Sequence, residues 1–227
     1  MKREFLKTGD GSFTIHLPEW NEQYHSKHGA INEALHVFIE TGLRHYLEFG
    51  KVEPDATIHI LELGFGTGLN ALLTSEISKK LKHKVRYTGI EAYPVEIAEI
   101  EQLNYPELVN ATEEDFLKLH QTAWEKDSDI SEYFKLHKKK QFFSEIDESN
   151  RFDLVYFDAF GPRVQPDLWT EAIFSKMFTA LKMGGVLVTY SAKGSVRRAM
   201  EAVGFKVERL PGPPGKREML RASKICP

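Results

Sequence analysis

The stretch "LELGFGTGLN", residues 61–70, decides the fold because it joins a strand-like segment to a helical one. The preceding "TIHILEL" (57–63) is apolar enough for a buried strand, and "LNALLTSEISKKL" (69–81) has helical periodicity. Gly64, Gly66 and Gly68 permit sharp turns and a close approach of the backbone to a ligand. The spacing matches neither the dinucleotide fingerprint nor a P-loop, which leaves a site for another ligand or a glycine-rich turn.

Strands and helices alternate on the C-terminal side of this loop. The predicted strands are "KVRYTGIE" (84–91), "YFKLHKKK" (133–140), "FDLVYF" (152–157) and "GVLVTYS" (185–191). The predicted helices run from Pro94 to about Leu103 and over 112–124, 166–182 and 195–204. This alternation predicts an α/β fold with a mostly parallel, twisted sheet wound on both faces. "FKVERL" and "REMLRAS" follow without a helix between them, and such a hairpin adds one antiparallel strand.

The N-terminal part has a different pattern. Residues 1–20 are predicted to form short strands around the turn "TGDGS", and 29–49 have the spacing of an amphipathic helix. Gly50 and Pro54 are expected to close that helix. We therefore expect a small N-terminal extension over 1–56 and a Rossmann-like domain over 57–227.

Composition limits the class of protein. The chain has 227 residues, of which 41% are hydrophobic and 28% charged, as is ordinary for a globular protein. No apolar run is long enough for a membrane span and no signal sequence is evident, so we expect a cytoplasmic protein without a membrane partner. Cys226 is the single cysteine, which excludes an internal disulfide and gives no basis for a metal site.

Charge is distributed unevenly along the chain. From Gly185 onward the chain has nine basic and three acidic residues, a net charge of +6. The whole chain has a net charge of −3, so residues 1–184 carry −9. A basic C-terminal surface could dock a polyanion, or it could be a solvated face.

The glycine loop resembles the first motif, E-x-G-x-G-x-G, of class I S-adenosylmethionine-dependent methyltransferases. In that fold a carboxylate at the end of the second strand accepts hydrogen bonds from the ribose hydroxyls, and Glu91 stands there. Many such enzymes bind the adenine amino group through an acid after the third strand. Here that region has no acid, so Gln141 or main-chain groups are the candidates. The resemblance implies this cofactor set: Glu62, Gly64, Phe65, Gly66, Thr67, Gly68, Asn70, Glu91 and Gln141.

Asp158 directly follows the fourth strand of this fold, which ends at Phe157, in the stretch "FDLVYFDAFGPRVQPDLW" (152–169). Ligands of open α/β sheets bind beyond the carboxyl ends of the strands, so Asp158 is expected beside the reactive end of the cofactor. "DAFGP" resembles the loop with which amino-methylating enzymes present a polar acceptor and a flat apolar wall to an amine. A carboxylate there can orient the amine and take its proton. The alternative is an Asp that caps a turn.

Three motifs together identify a narrower family. "LELGFGTGLN", "FDAFGPRVQPDLW" and "TYSAKGSVRRAMEAVGFKVERLPGPPGKREML" resemble the methyltransferase domain of the MnmC family, and the similarity runs from about residue 9 to 222. The resemblance implies methylation of the aminomethyl group of the modified wobble uridine of tRNA, giving 5-methylaminomethyl-(2-thio)uridine. Bifunctional members also carry a FAD-dependent oxidase domain. This sequence has no second dinucleotide fingerprint, so no FAD domain is expected, and any oxidase step is absent or supplied by a separate enzyme.

The resemblance also assigns roles to individual residues. Asp158 contacts the substrate amine, Phe160 and Pro162 form a rigid wall, and His25 lies in a segment that could close over the site. The basic residues become candidates for tRNA phosphate contacts: Lys193, Arg197, Arg198, Lys216 and Arg217. Two other functions stay open, a small-molecule amine methyltransferase of the same fold and a non-catalytic protein that binds S-adenosylmethionine or RNA.

Overall fold

The computed structural model describes residues 2–50, 52–53 and 55–225, so the expectations for Pro54 and Cys226 lie outside the described residues. The N-terminal segment forms a small antiparallel sheet in the order β1-β2-β3. The turn "TGDGS" joins its first two strands, as predicted. Its strands are β1 (Glu4–Lys7), β2 (Phe13–Leu17) and β3 (Glu22–Gln23).

A long helix, α1, follows over 30–49. Its ends are α-helical (Ala30–Ala34 and His45–Phe49), whereas its middle (Leu35–Arg44) has π-type hydrogen bonding. The predicted amphipathic helix is therefore confirmed, with a wider turn than expected. A Cβ on Gly42 would lie 3.0 Å from a methyl carbon of Val188, so glycine lets this helix pack closely on the main sheet.

The main sheet has eight strands in the order β10-β11-β9-β8-β4-β5-β7-β6. Five strands are mutually parallel and central, β7, β5, β4, β8 and β9. The C-terminal hairpin places β11 antiparallel to β9, as predicted. The strands are β4 (Ile58–Leu63), β5 (Val85–Ile90), β6 (Asp127–Asp129), β7 (Phe134–Lys139), β8 (Phe152–Phe157), β9 (Leu181–Thr189), β10 (Lys206–Pro211) and β11 (Glu218–Ser223).

A second antiparallel strand, β6, pairs with β7 at the opposite edge of the sheet. The sequence did not indicate it, because "DSD" is polar and short, and its contacts are backbone pairing and surface charges such as that between Asp127 and Arg86. The sheet therefore has one antiparallel strand more than expected.

Six further helices cover the sheet, and three differ from the prediction. Pro94 does not open a helix, since α3 begins only at Ile97, after a cap in which the Glu99 carboxylate accepts from the Glu96 amide. The short α4 was not predicted. The segment from Pro166 is a 3-10 turn (Pro166–Trp169) that extended Thr170 separates from α6. The helices are α2 (Leu69–Leu81), α3 (Ile97–Ile100), α4 (Tyr105–Val109), α5 (Glu113–Gln121), α6 (Glu171–Ala180) and α7 (Gly194–Ala202).

This topology fixes where a ligand can bind. Chain order reverses between the neighbouring parallel strands β4 and β8, and open α/β sheets bind ligands at the carboxyl edge of such a switch point. Every residue of β8 is buried, so the chain emerges at that edge from a rigid core. Buried side chains of β2, α1 and the main sheet form one hydrophobic cluster, which joins the N-terminal extension to the site edge. Among the described residues, no helix has the length and apolarity to cross a membrane.

Candidate active site

The glycine loop after β4 turns back onto the end of β5. The amides of Gly64 and Phe65 both donate to the Ile90 carbonyl at 3.0 Å, and the amide of Gly66 donates to Glu91 Oε2 at 3.0 Å. Gly64 has φ +90° and Gly66 φ +47°, the left-handed region that favours glycine. The loop therefore needs glycine at these positions, as the sequence indicates.

Gly64 also lets the ends of β4 and β8 approach each other. The Asp158 amide donates to the Leu63 carbonyl at 3.0 Å, and a Cβ on Gly64 would lie only 2.5 Å from the Asp158 carbonyl oxygen. The first strand-end loop and the predicted catalytic carboxylate thus form one compact unit at the switch point.

A cavity of about 950 Å³ lies between this edge and the N-terminal sheet. Four of the predicted site residues line it: Gly64, Gly66, Glu91 and Asp158. Its volume is in the range that proteins use for cofactors and small ligands.

Glu91 has the donor and acceptor pattern expected of a ribose-binding carboxylate. Its oxygens accept from the amides of Gly66 (3.0 Å) and Tyr93 (2.9 Å), which fixes the orientation of the group. Each carboxylate oxygen can accept more than one hydrogen bond, so both keep capacity for a hydroxyl donor. Gly64, Gly66 and Glu91 together form a cofactor cradle whose chemistry fits S-adenosylmethionine.

Glu62 and Asn70 do not line the described cavity, contrary to the expectation that they hold the cofactor. Asn70 Nδ2 donates to Glu62 Oε1 at 2.9 Å and to Asp158 Oδ2 at 2.8 Å. Glu62 is 1% exposed, and burial together with the nearby Asp158 charge holds its pKa well above the usual range. The two side chains instead orient Asp158 from behind.

Phe65, Thr67 and Gly68 are buried members of the loop and are not among the described lining residues of the cavity. His25 Nε2 is 2.7 Å from Thr67 Oγ1, and His120 Nε2 donates to the Thr67 carbonyl at 3.2 Å. Burial lowers the pKa of His25 to about 4 and that of His120 to about 3, so both imidazoles are neutral at physiological pH. His25 therefore supports the loop from below and does not close over the site as expected.

Asp158 is half-buried, and its pKa is raised to about 7. Burial is the largest cause and the charge of Glu33 the next, while the Asn70 hydrogen bond and the Lys216 charge act in the opposite direction. A carboxyl group with this pKa exchanges a proton readily near neutral pH, which suits a general base.

An aromatic wall stands beside Asp158. Phe160 lines the cavity, with edge-to-face contacts to Trp20 (5.6 Å between ring centroids) and Tyr24 (4.9 Å). Trp169 is buried and fixes the loop by donating from Nε1 to the Phe160 carbonyl at 2.8 Å. Pro162 is not among the described lining residues and lies in the turn that follows. The sequence indicated Phe160, and Tyr24 lies in the same segment as His25 that was expected to close over the site, but no sequence signal pointed to Trp20.

Arg163 fastens the N-terminal sheet over this wall. Its Nη2 donates to the carbonyls of Trp20 (3.2 Å) and Asn21 (3.0 Å) and pairs with Glu22 at 3.0 Å. No sequence pattern pointed to this residue, because its partners lie more than 140 positions away.

Gln141 is half-buried and is not among the described lining residues, whereas the next residues, Phe142 and Phe143, are. Tyr93 and Phe142 make an edge-to-face pair (6.0 Å) near Glu91. The position of Gln141 therefore does not support the predicted contact between its side chain and the cofactor.

The basic C-terminal residues do not form one free surface. Arg197 pairs with Glu201 at 2.8 Å and Lys216 with Glu33 at 2.5 Å, whereas Lys193, Arg198 and Arg217 are exposed. Lys193 follows the end of β9, and Arg217 lies in the loop that follows β10. Strands β9 and β10 run in the same direction, because each is antiparallel to β11. These two exposed cations therefore lie at the cavity edge of the sheet.

Comparison with known proteins gives consistent results. A family profile described as S-adenosyl-L-methionine-dependent methyltransferase matches residues 96–225. The tRNA 5-methylaminomethyl-2-thiouridine biosynthesis bifunctional protein MnmC of Nitrosospira multiformis is 28% identical over 215 residues, 91% of this chain and 35% of that protein. The protein of the same name from Leptospira interrogans is 30% identical over 231 residues, 96% of this chain and 35% of that protein.

A crystal structure of MNMC2 from Aquifex aeolicus is similar over 100% of this chain and 71% of that chain, with 27% identity and a TM-score of 0.79. The present chain spans about a third of the length of the curated relatives that it matches. In the described part of the chain, no group of three or more His, Cys, Asp or Glu side chains is placed to hold a metal ion.

Proposed function

This chain belongs to a family of S-adenosyl-L-methionine-dependent methyltransferases, and on that premise we propose that it methylates a primary amine on tRNA. The proposed acceptor is the aminomethyl group of the modified wobble uridine, and the product is 5-methylaminomethyl-(2-thio)uridine. The observation that carries the proposal is Asp158, held by Asn70 beside the glycine loop at the wall of the cavity. The names of the MnmC relatives support the choice of tRNA.

An aminomethyl group is protonated in neutral water and must lose a proton before its nitrogen can act as a nucleophile. The Asp158 carboxylate accepts that proton. Its pKa of about 7 lies near neutral pH, where a general base is most effective. The neutral amine then has a free lone pair and can act as the nucleophile. The cofactor supplies the methyl group when bound, and Gly64, Gly66 and Glu91 are the residues that would hold it.

Phe160, Trp20 and Tyr24 give the cavity a surface on which an unstacked base can lie. Proteins that read single-stranded RNA commonly stack the displaced base on aromatic side chains. The aromatic wall adjoins Asp158, so a base against it would carry its 5-substituent towards the carboxylate. This arrangement supports a uridine substituent as the amine more than a free polyamine.

The proposed reaction starts from a uridine that already bears an aminomethyl group. We therefore propose that separate enzymes install that group before this protein acts. The chain itself contributes the carboxylate, the aromatic wall and the cofactor cradle.

Reversal of charge at the site edge tests whether the substrate is tRNA. The double substitution Lys193→Glu and Arg217→Glu is expected to raise KM for tRNA about tenfold or more, because exposed cations there contact phosphates. The slope of log(kcat/KM) against log(salt) should fall by about one per lost contact. Steady-state kinetics at several salt concentrations measures both effects.

Lys80→Glu is the matched control, since this exposed lysine ends α2 at the opposite edge of the sheet. Its KM and salt slope should equal those of the unmodified protein. If the double variant behaves like the control, the substrate is a small amine and the proposal of tRNA fails.

A further inference from the structure

Lys216 extends from the loop 212–217 of the C-terminal hairpin into the interior instead of into solvent. Its Nζ lies 2.5 Å from Glu33 Oε2 and 3.7 Å from the centroid of the Tyr190 ring. The Lys216 side chain is 31% exposed and that of Glu33 only 8%. Because the Glu33 carboxylate is largely buried, the pair is only partly screened by solvent, and its charges act on their neighbours.

The loop is built to hold this lysine in place. The Gly212 amide donates to the Arg217 carbonyl at 3.1 Å, and the Lys216 amide donates to the Pro213 carbonyl at 2.9 Å. His36 Nε2, on α1, forms a 2.8 Å hydrogen bond with the Pro211 carbonyl. The hairpin is therefore fastened to the same helix that presents Glu33.

The ion pair connects to the loop of Asp158 through Tyr190. Tyr190, beneath the Lys216 ammonium, donates from its hydroxyl to the Ala159 carbonyl at 2.8 Å, next to Asp158. The negative charge of Glu33 acts to raise the pKa of Asp158, and the positive charge of Lys216 acts to lower it. Asn70, which also donates to Glu62, donates to Asp158. The Asp158 charge also acts on the phenols Tyr87, Tyr105 and Tyr190, whose raised pKa values keep them neutral.

We propose that Glu33 and Lys216 form a positioning pair that couples the C-terminal hairpin, through Tyr190, to the loop that carries Asp158. Glu33 disfavours a second negative charge nearby, and Lys216 offsets it. The Glu33 carboxylate also accepts from the Ser26 amide at 3.1 Å, so loss of the Lys216 ammonium would leave Glu33 in place without its cation, and Asp158 would hold its proton more tightly. The consequence for catalysis rests on the proposed amine methylation, whereas the coupling itself does not.

A titration of Asp158 in the free protein tests the coupling without cofactor or tRNA. Aspartate labelled with carbon-13 at the side-chain carboxyl reports each pKa by NMR, and the resonance missing from an Asp158→Asn sample assigns the site. Glu33→Gln should lower the pKa of Asp158 by about one pH unit, because a nearby negative charge is removed. Lys216→Met should raise it, because the positive charge that compensates Glu33 is lost. The double variant should lie between the two.

Two control variants separate the effect of Lys216 on Asp158 from a general effect of removing a lysine charge. Lys206→Met neutralises an exposed lysine at the far end of β10 and should leave the titration unchanged. Lys216→Arg keeps the charge and should stay close to the unmodified protein. If Glu33→Gln does not fold, the comparison of Lys216→Met with Lys216→Arg decides alone.

Shifts in the same direction for both single variants, or no shift in either, would overturn the coupling. If the expected shifts occur but tRNA is not methylated, the coupling holds and the proposed substrate fails. If tRNA is methylated without those shifts, the reverse applies. In the active enzyme, the acidic limb of the kcat/KM profile should move in the same order as the pKa of Asp158.

Discussion

An Asp158→Asn variant is expected to lose at least about a hundredfold in kcat, the effect of removing a general base that is positioned for proton transfer. The amide can still accept the 2.8 Å hydrogen bond from Asn70, so the loop geometry should survive. It cannot accept a proton from an ammonium group. Single-turnover methyl transfer to tRNA measures the loss, and calorimetry with S-adenosylmethionine should show affinity within about threefold of the unmodified protein.

At alkaline pH the same variant should have a higher free energy of unfolding than the unmodified protein. The pKa of Asp158 is raised from 3.8 to about 7, so the folded state binds its proton more tightly than the unfolded state. Stability from this group is then present at acidic pH and is lost as pH rises from about 4 to about 7. The side-chain amide of the variant does not ionise in this range, so the variant has no such loss.

Urea unfolding at about pH 8 should therefore give a higher midpoint for Asp158→Asn, with the difference shrinking towards about pH 4. A kcat near that of the unmodified protein, with no gain in stability, would identify Asp158 as a turn residue.

Gly64→Ala is the second substitution with a large expected effect. Alanine there would adopt φ +90°, and its Cβ would lie 2.5 Å from the Asp158 carbonyl oxygen. Backbone strain and overpacking together predict a loss of about 2–5 kcal/mol in the free energy of unfolding. Cofactor affinity should also fall, because the loop and Asp158 cannot both keep their positions.

Gly11→Ala is the matched control for this substitution. Gly11 has nearly the same backbone, φ +88°, but a Cβ there would meet nothing within 4 Å. It should therefore show only the cost of strain, about 1 kcal/mol, and keep cofactor binding. Equal effects of the two substitutions in urea unfolding would show that the contact with Asp158 is unimportant.

The sequence predicted the fold and the positions of site residues where a short segment determines both its own backbone conformation and its place in the sheet. The alternation of apolar strands with helices predicted the central sheet, and the glycine loop and Asp158 follow β4 and β8 directly. Parallel strands of a doubly wound sheet end at one edge, so strand-end residues could be placed together without coordinates. Gly64, Gly66, Glu91 and Asp158 all line the cavity for this reason.

Contacts between distant segments could not be predicted in this way. Trp20 meets Phe160, and Glu33 meets Lys216, only because the N-terminal sheet and α1 pack over the site edge. Hydrophobic periodicity shows which face of a helix is buried but not which polar residue it meets there. For the same reason a count of charges suggested a basic surface where Lys216 is in fact paired internally.

Residues next to a ligand loop can also be assigned to the wrong side of it. His25 and Asn70 were expected to contact substrate or cofactor, yet both lie behind the backbone that lines the cavity. A sequence motif gives the position of a residue along the chain, whereas the direction of its side chain depends on the turn. The positive φ values of the glycine loop set that direction here.

One measurement tests the proposed function most directly. Purified protein is incubated with S-adenosylmethionine labelled in the methyl group and with tRNA from a strain that lacks this methylation, and the nucleosides are analysed by mass spectrometry. We predict label in 5-methylaminomethyl-(2-thio)uridine, none in tRNA without the aminomethyl group, and almost none with Asp158→Asn. Absence of label from tRNA that carries the aminomethyl uridine, by protein that binds S-adenosylmethionine, would contradict the proposed function.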